Sequence, residues 1–474
     1  MRIKLPQYFL HVAAKLLNAG FQVYLVGGAL RDTLLGNLPS DYDIATDATP
    51  TAIQKLFPNS LEVGAQFGTI IVPVKPKFAR KYYNIEITTM RKERQYKDFR
   101  HPQVVTFIKD IKEDLSRRDF TINAMAMDLS SIKNLPKQLL QPPINTKLIE
   151  IDAKLIDPFG GLKDLENKII RAVGDPKLRF LEDPLRTLRA CRFAAQLEFT
   201  IEPKTKKAIV QTVKYLANIS SERIRDELVK ILTKANKPSR AFECMRETGM
   251  LTYVLPELLA TIGAQQPVGH IHDVYTHLLA VTDKAPKHLV VRLAALLHDI
   301  AKPQTALPSG NFYGHDLEGA KMARKILRRL NFPNRITDKV AHLIRWHMFH
   351  YQPNVWTDAA VRRFIRNVGL ENIPLLFKLR LADALANPKQ PDPRPIIKAF
   401  KQHIEKVLTD QVAFKRSDLD ISGHDIIKAL KIKPGPDIGK ILDYLLEQVL
   451  DNPQLNKKSK LIKLAKQYAK ENLL

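Results

Sequence analysis

Cysteine is nearly absent from this chain. Only Cys191 and Cys244 occur in 474 residues, too few for a disulfide framework or a thiolate zinc site, and a reducing compartment fits that usage. Long apolar runs are missing too. No stretch approaches the roughly 18 uninterrupted apolar residues that a membrane span needs. The opening segment MRIKLPQYFLHVAAKLLNAG is interrupted by Lys15 and carries no small-residue cleavage site, so a signal peptide is not expected. The expectation is a soluble, cytoplasmic protein that does not engage a membrane. Negative charge is also scarce: 49 Asp and Glu stand against 75 Lys and Arg, a net charge of +26. That excess attracts polyanions and releases their counterions on binding. Nucleic acid is one candidate partner, and a merely solubilising surface is the alternative.

The length exceeds what one core supports, so three or four packed units are expected. The first residues read as an amphipathic helix stopped at Gly20. FQVYLVGG reads as a short buried strand and ALRDTLLG as a helix. SDYDIAT, FGTIIVPV, YYNIEITTM and VVTF read as further strands. This predicts a small mixed α/β head over residues 1–150, with SSIKNLPKQLLQPPINTKLIEIDAK as a connector at its edge. From DPFGGLKDLENK onward the pattern is helical. Pro- and Gly-marked loops divide it into 151–262, 263–390 and 391–474, the last ending in the Lys-rich, amphipathic NPQLNKKSKLIKLAKQYAKENLL. The fold class is multidomain α+β, a mixed head followed by all-α domains.

The most informative stretch is LVGGALRDTLLGNLPSDYDIATDATP. In a strand, residues i and i+2 share a face, so Asp41 and Asp43 project together. Two parallel carboxylates repel unless a cation lies between them. Magnesium suits the position, because it prefers oxygen ligands and shares them with nucleotide phosphates. Gly27 and Gly28 allow the backbone to approach a triphosphate, and Arg31 adds positive charge.

These residues resemble the nucleotidyltransferase superfamily of DNA polymerase beta, and more narrowly the class II tRNA nucleotidyltransferases and bacterial poly(A) polymerases. VGGALRD and DYDIAT match the catalytic motif, ITTMRKERQYKDFRHP resembles the mobile loop region, and EDLSRRDFTINAMA matches the second motif. DPFGGLKDL, RFLEDPLRTLRACRFAAQL and SSERIRDELVKIL complete the set. The resemblance implies a polymerase beta-like head with Mg2+ on Asp41 and Asp43, and triphosphate contacts from Gly28, Arg31 and Arg118. It also implies sugar and loop contacts from Asp119 and Asn123. Glu86, at a polar position of NIEIT, is a candidate third carboxylate, its alternative being an edge-strand surface charge.

In LEDPLRTLRACRF, Asp183, Arg186, Arg189 and Arg192 recur every three residues, a spacing that predicts one helix face. Ionised Asp only accepts hydrogen bonds and Arg only donates them. Cytosine and adenine offer an amino donor beside a ring-nitrogen acceptor, whereas guanine and uracil offer the reverse. An Asp183/Arg186 edge therefore suits C and A and penalises G and U. The resemblance implies the same: a protein template, with Arg189 and Arg192 near the phosphates or the base plane.

Most of the thirteen histidines lie beyond residue 269. His277, His298, Asp299, His315, His347 and Asp383 follow the order H…HD…D and resemble the HD phosphohydrolase superfamily, a helical bundle that binds metal. The resemblance implies one metal set of His277, His298, Asp299 and Asp383, with His315 and His347 as the extra ligands of two-metal members. Imidazole plus carboxylate suits a transition metal or magnesium, and a bound water could attack a phosphoester. The metal's identity and the substrate stay open.

The leading expectation is a metal-dependent enzyme that adds C, C and A to the 3′ end of tRNA from CTP and ATP. Poly(A) synthesis and A-only or CC-only addition share the same motifs. A phosphohydrolase whose head merely binds nucleotide, and a non-catalytic RNA-binding protein, are the alternatives of other classes.

Overall fold

The computed structural model describes every residue except 40, 63–67, 97–101, 137–139, 267–271, 309–310, 388, 390, 410–412 and 473–474. The chain forms two compact units, Met1–Ile231 with Arg240–Val254, and Leu232–Ser239 with Leu255–Leu474.

The first unit opens with strand β1 (Arg2–Pro6) and helix α1 (Gln7–Asn18). Phe9, Leu10 and Leu16 on α1 are fully buried, each contributing about 1.5–3 kcal/mol of apolar transfer. Then come β2 (Val23–Val26), α2 (Gly27–Leu34), β3 (Tyr42–Thr46), α3 (Pro50–Leu56), β4 (Leu61–Glu62), β5 (Thr69–Val74) and β6 (Tyr83–Thr89). Helix α3 starts where proline chemistry dictates: Pro50 opens it and the Thr49 hydroxyl accepts from the Ala52 amide at 3.3 Å. The hairpin β7 (Arg91–Tyr96) and β8 (Pro102–Phe107) leads to α4 (Ile111–Ser116), followed by β9 (Ala126–Asp128), β10 (Leu148–Asp152) and β11 (Lys154–Ile156). Seven described strands form one mixed sheet in the order β11-β9-β2-β3-β6-β5-β4. β3 and β6 run parallel, whereas β2 with β3 and β5 with β6 are antiparallel. The segment read as a connector ends in β10, which pairs with β1. Residues 97–101 of the segment that resembles the family's mobile loop region lie outside the described residues.

Helices follow: α5 (Gly161–Glu166), α6 (Pro176–Glu182), α7 (Leu185–Leu197), α8 (Pro203–Thr212), α9 (Ser221–Lys234), α10 (Ser239–Glu247) and α11 (Leu251–Val254). Gly161 is obligatory, since a Cβ there would lie 2.2 Å from the Thr121 carbonyl oxygen. The cysteine expectation is corrected here. Cys191 on α7 and Cys244 on α10 form a disulfide, because the two helices bring their Cα atoms to 5.7 Å. Counting cysteines could not reveal that packing.

The second unit has no strand among its described residues. Its helices are α12 (Val274–Lys284), α13 (Leu289–Leu297), α14 (His315–Arg329), α15 (Asn334–Trp346), α16 (Asp358–Val368), α17 (Ile373–Ala386), α18 (Arg394–Thr409), α19 (Gly423–Leu430), α20 (Pro436–Asp451) and α21 (Lys458–Asn472). The last three enclose a small core of their own around Ile426, Ile441, Leu445, Val449 and Leu461, so the lysines of α21 line a packed amphipathic helix. No described helix is long and apolar enough to cross a membrane.

Candidate active site and candidate metal centre

At one end of the head sheet, β2 runs directly into α2 through Gly27, whose φ is +69°. That conformation suits glycine, and a Cβ would stand 3.0 Å from Asp43 Oδ2 and 3.2 Å from Arg118 Nη1. Gly27, rather than Gly28, is thus the tight position. Asp43 lies in β3, Asp41 immediately precedes it, and the β3–β6 register sets Glu86 directly beside Asp43. Three carboxylates therefore share one sheet end. Burial first, then Glu86 and Asp41, push Asp43 up to about 6 against the pull of Arg118. Glu86 is raised by burial and by Asp41. Such a group relaxes when a cation arrives.

The other sequence-selected residues are tied into a dense network. Arg31, 4% exposed, donates to Asn123 Oδ1 at 2.8 Å and to Asp32. Asn123 donates to Asp119 Oδ1, and Asp119 accepts from Arg189 at 2.7 Å. Burial alone would raise Asp119, but the Arg189 guanidinium outweighs it and holds the carboxyl at about 2. Arg118 reaches Asp114 at 3.3 Å, while its buried Nε has no hydrogen-bond partner. Arg192 is turned inward, paired with Glu227 and stacked 3.9 Å from the Phe193 ring centroid. It packs the interior of the unit, which is a different task from meeting a phosphate.

The single-face expectation for the template residues is corrected at its first member. Asp183 is extended (φ −149°, ψ 98°) at the break between α6 and α7, since the following Pro184 disfavours helical backbone before it. Its Oδ1 caps the Leu185 amide at 3.1 Å and its Oδ2 accepts from Arg223 at 2.7 Å. Arg186 on α7 pairs with Glu182 at 2.5 Å. The side chains of Asp183 and Arg186 thus have separate partners. Arg223, Glu182, Glu227 and Asp114 were missed by sequence reasoning, in which SSERIRDELVKIL served only as a family motif.

In the second unit, the structure draws His277, His298, Asp299, His315, His347 and Asp383 together. One potential ligand atom from each of His277, His298 and Asp299 lies within 4.8 Å of the others, and the same holds for Asp299, His315 and His347. His277 Nε2 is 3.1 Å from Asp383 Oδ1. The Nδ1 atoms of His298, His315 and His347 meet the carbonyls of Ala295, Phe312 and Ile344 at 2.9, 2.6 and 2.6 Å. Each Nδ1 therefore donates, and each Nε2 presents a lone pair to the cluster. Nε2 of His298 and of His315 is buried without a hydrogen-bond partner. A donor set of inward lone pairs and two carboxylates fits a divalent metal. Asp299 is held well below the usual carboxylate range: burial opposes this, but His298 and Lys302 prevail. Lys302 Nζ, 2.6 Å from Asp299, was also missed, although it follows the His-Asp pair by one helical turn.

Three family models match the chain: the poly A polymerase head domain over residues 23–171, the probable RNA and SrmB-binding site of polymerase A over 198–262, and the putative domain 2 of tRNA nucleotidyltransferase over 316–465. The CCA-adding enzyme of Leuconostoc mesenteroides subsp. mesenteroides is 31% identical over 473 residues, covering 99% of this chain and 98% of that protein. That of Lactococcus lactis subsp. lactis is 32% identical over 460 residues, covering 96% of each. The crystal structure of the Bacillus stearothermophilus CCA-adding enzyme in complex with CTP superimposes with a TM-score of 0.73 at 27% identity, covering 98% of both chains.

Proposed function

The chain belongs to the CCA-adding enzyme family, and on that premise we propose that it completes the 3′ end of tRNA with C, C and A from CTP and ATP. It is a nucleotidyltransferase. The observation that carries the mechanism is the convergence of Asp41, Asp43 and Glu86 beside the Gly27 turn and Arg118. Asp41 and Asp43, with Glu86 as third carboxylate, would hold magnesium, which when bound would supply positive charge to the hydroxyl and the phosphate. The 3′ hydroxyl of the tRNA loses its proton to solvent as its oxygen forms a bond to the α-phosphorus, the bond from that phosphorus to the β-phosphate oxygen breaks, and pyrophosphate leaves. Gly27 and Gly28 keep the approach open for the triphosphate and Arg118 faces it. Arg31, Asp119, Asn123 and Arg189 fix that wall, and Asp183 with Arg186 reads C and A. Residues 1–150 do the chemistry, 151–262 choose the base and hold RNA, and 391–474 grip the tRNA. The setting is cytoplasmic. Poly(A) synthesis is not favoured by the relatives.

A second activity is supported by the histidine cluster in 263–390. His277, His298, Asp299, His315, His347 and Asp383 would hold a divalent metal, which when bound acidifies water for attack on a phosphoester. Lys302 sets the charge on Asp299.

The test uses purified protein, tRNA lacking its terminal nucleotides, magnesium, and labelled CTP or ATP singly and together. C incorporation followed by A is expected. A alone in long tracts would mean poly(A) synthesis, and no incorporation would reject the assignment. In parallel, hydrolysis of 2′,3′-cyclic nucleotides should cease when divalent metal is removed; unchanged hydrolysis would sink the metal centre.

A further inference from the structure

The connection between β5 and β6, Lys75–Tyr82, has an unusual make-up. It holds Lys75, Lys77, Arg80 and Lys81, with no acidic residue before Tyr83. All four cations are exposed, and among the described residues none forms an ion pair with a carboxylate. Elsewhere in the same unit cations are commonly neutralised, as Arg117, Arg179 and Arg223 are. Between the cations stand two aromatics turned outward, Phe78 at 91% exposure and Tyr82 at 62%. Lys77 Nζ lies 5.1 Å from the Phe78 ring centroid and Lys75 Nζ 5.5 Å from that of Tyr82.

Phe78 also has a positive φ, 68°, which a bulky L-residue adopts at a cost. Strain and solvent exposure of a large ring both oppose stability, so packing within the unit gives no reason for a phenylalanine there. The loop is nevertheless anchored. Pro76 is buried, the Lys77 amide donates to the Ile144 carbonyl at 2.7 Å, and Ala79 closes a turn onto Pro76.

Topology fixes where this patch sits. β5 runs antiparallel to β6, and β6 parallel to β3, so the loop emerges at the sheet end that carries Asp41 and Asp43. Tyr83 is three residues before Glu86 on the same strand, about 10 Å along it. Unpaired cations that reach phosphates, alternating with exposed rings on which bases stack, are the requirements of a single-stranded nucleic-acid platform.

We propose that Lys75–Tyr82 binds the unpaired 3′ strand of the RNA substrate, Lys77, Arg80 and Lys81 holding its phosphates and Phe78 and Tyr82 stacking its bases. This rests on the tRNA-extending reading, and its test separates the two. Binding of fluorescein-labelled tRNA lacking CCA is measured without nucleotide between 50 and 200 mM salt, for the full chain and two variants. Charge reversal, Lys77→Glu/Arg80→Glu/Lys81→Glu, should weaken binding about tenfold or more and flatten the log-log salt dependence by about 2. Phe78→Gly, which relieves the backbone and so cannot act by unfolding, should weaken binding about tenfold with the slope retained. KM for tRNA should rise in both while KM for CTP stays put. Unchanged affinity and slope in the charge-reversal variant would overturn the proposal. So would retention of RNA affinity with loss of binding to phosphatidylserine vesicles, which would mark a lipid-facing patch. Loop-dependent RNA binding by a chain that adds no nucleotide would instead reject the activity and leave the platform standing.

Discussion

The two clusters of acid in this chain solve opposite electrostatic problems. In the head, Asp41, Asp43 and Glu86 crowd one sheet end, and burial and mutual repulsion drive Asp43 up to about 6. In the helical unit Asp299 is buried, whereas Asp41 and Glu86 of the head are exposed, and both Asp299 and Asp383 are held below the ordinary carboxylate range by the histidines, Lys302 and Arg380 around them. The first cluster is short of positive charge until substrate and metal arrive together. The second has cationic partners within the protein, Lys302 beside Asp299 and Arg380 beside Asp383, while its histidines aim Nε2 inward because backbone carbonyls hold Nδ1. The difference separates a sheet end whose acidic charge is left for incoming cations to meet from a helical cluster whose acids already face cations of the chain itself.

That contrast breaks most decisively at Asp43. Asp43→Asn should reduce nucleotide addition about a thousandfold, while metal content of the purified protein and cyclic-nucleotide hydrolysis stay at the parent level. Loss of both activities would show that the two clusters are not independent. The reciprocal change, His298→Gln, should lower retained metal more than about 100-fold in affinity, read by elemental analysis after gel filtration, with CTP incorporation within twofold of the parent. Asp183→Ala should reduce discrimination against UTP and GTP by about 100-fold in ratios of kcat/KM, leaving both metal responses intact. Full selectivity in that variant would remove Asp183 from the template.

Much of the pattern was legible in the sequence because it depends on short-range periodicity. The Gly-Gly turn and the D-x-D at the start of β3 constrain geometry within a few residues, whereas the H…HD…D order, spread from His277 to Asp383, was legible only through its resemblance to a metal-binding helical bundle. Glu86 was legible only as a polar residue in a strand; the parallel register that sets it against Asp43 is a long-range fact. For the same reason Arg223, Glu227 and Lys302 escaped notice, since a charged side chain on a helix carries no mark of which opposite charge it will meet. The α6–α7 break at Asp183 was within reach, because Pro184 was in plain view and three-residue spacing was allowed to outweigh it. The Cys191–Cys244 bridge joins helices whose packing no local pattern specifies.

The smallest effect concerns how the head holds its own wall. Asp119 is held at about 2 by Arg189, against about 3.9 for an unfolded chain. A depressed carboxylate stabilises the folded state above its unfolded value and loses that contribution as pH falls through the window from about 4 to about 2. The shift corresponds to roughly 2–3 kcal/mol. Asp119→Asn should therefore lower stability by about that amount at pH 7, measured by urea unfolding followed through the first unit. It should also flatten the acid limb between pH 4 and 2 relative to the parent. The neutral amide still offers an acceptor to Arg189, so part of the hydrogen bonding persists and the loss will be smaller than for alanine. An Asn variant with parental stability at pH 7 would mean that burial of the carboxylate cancels its attraction to Arg189. The network joining Arg31, Asn123, Asp119 and Arg189 would then owe its persistence to orientation of the nucleotide wall rather than to stability.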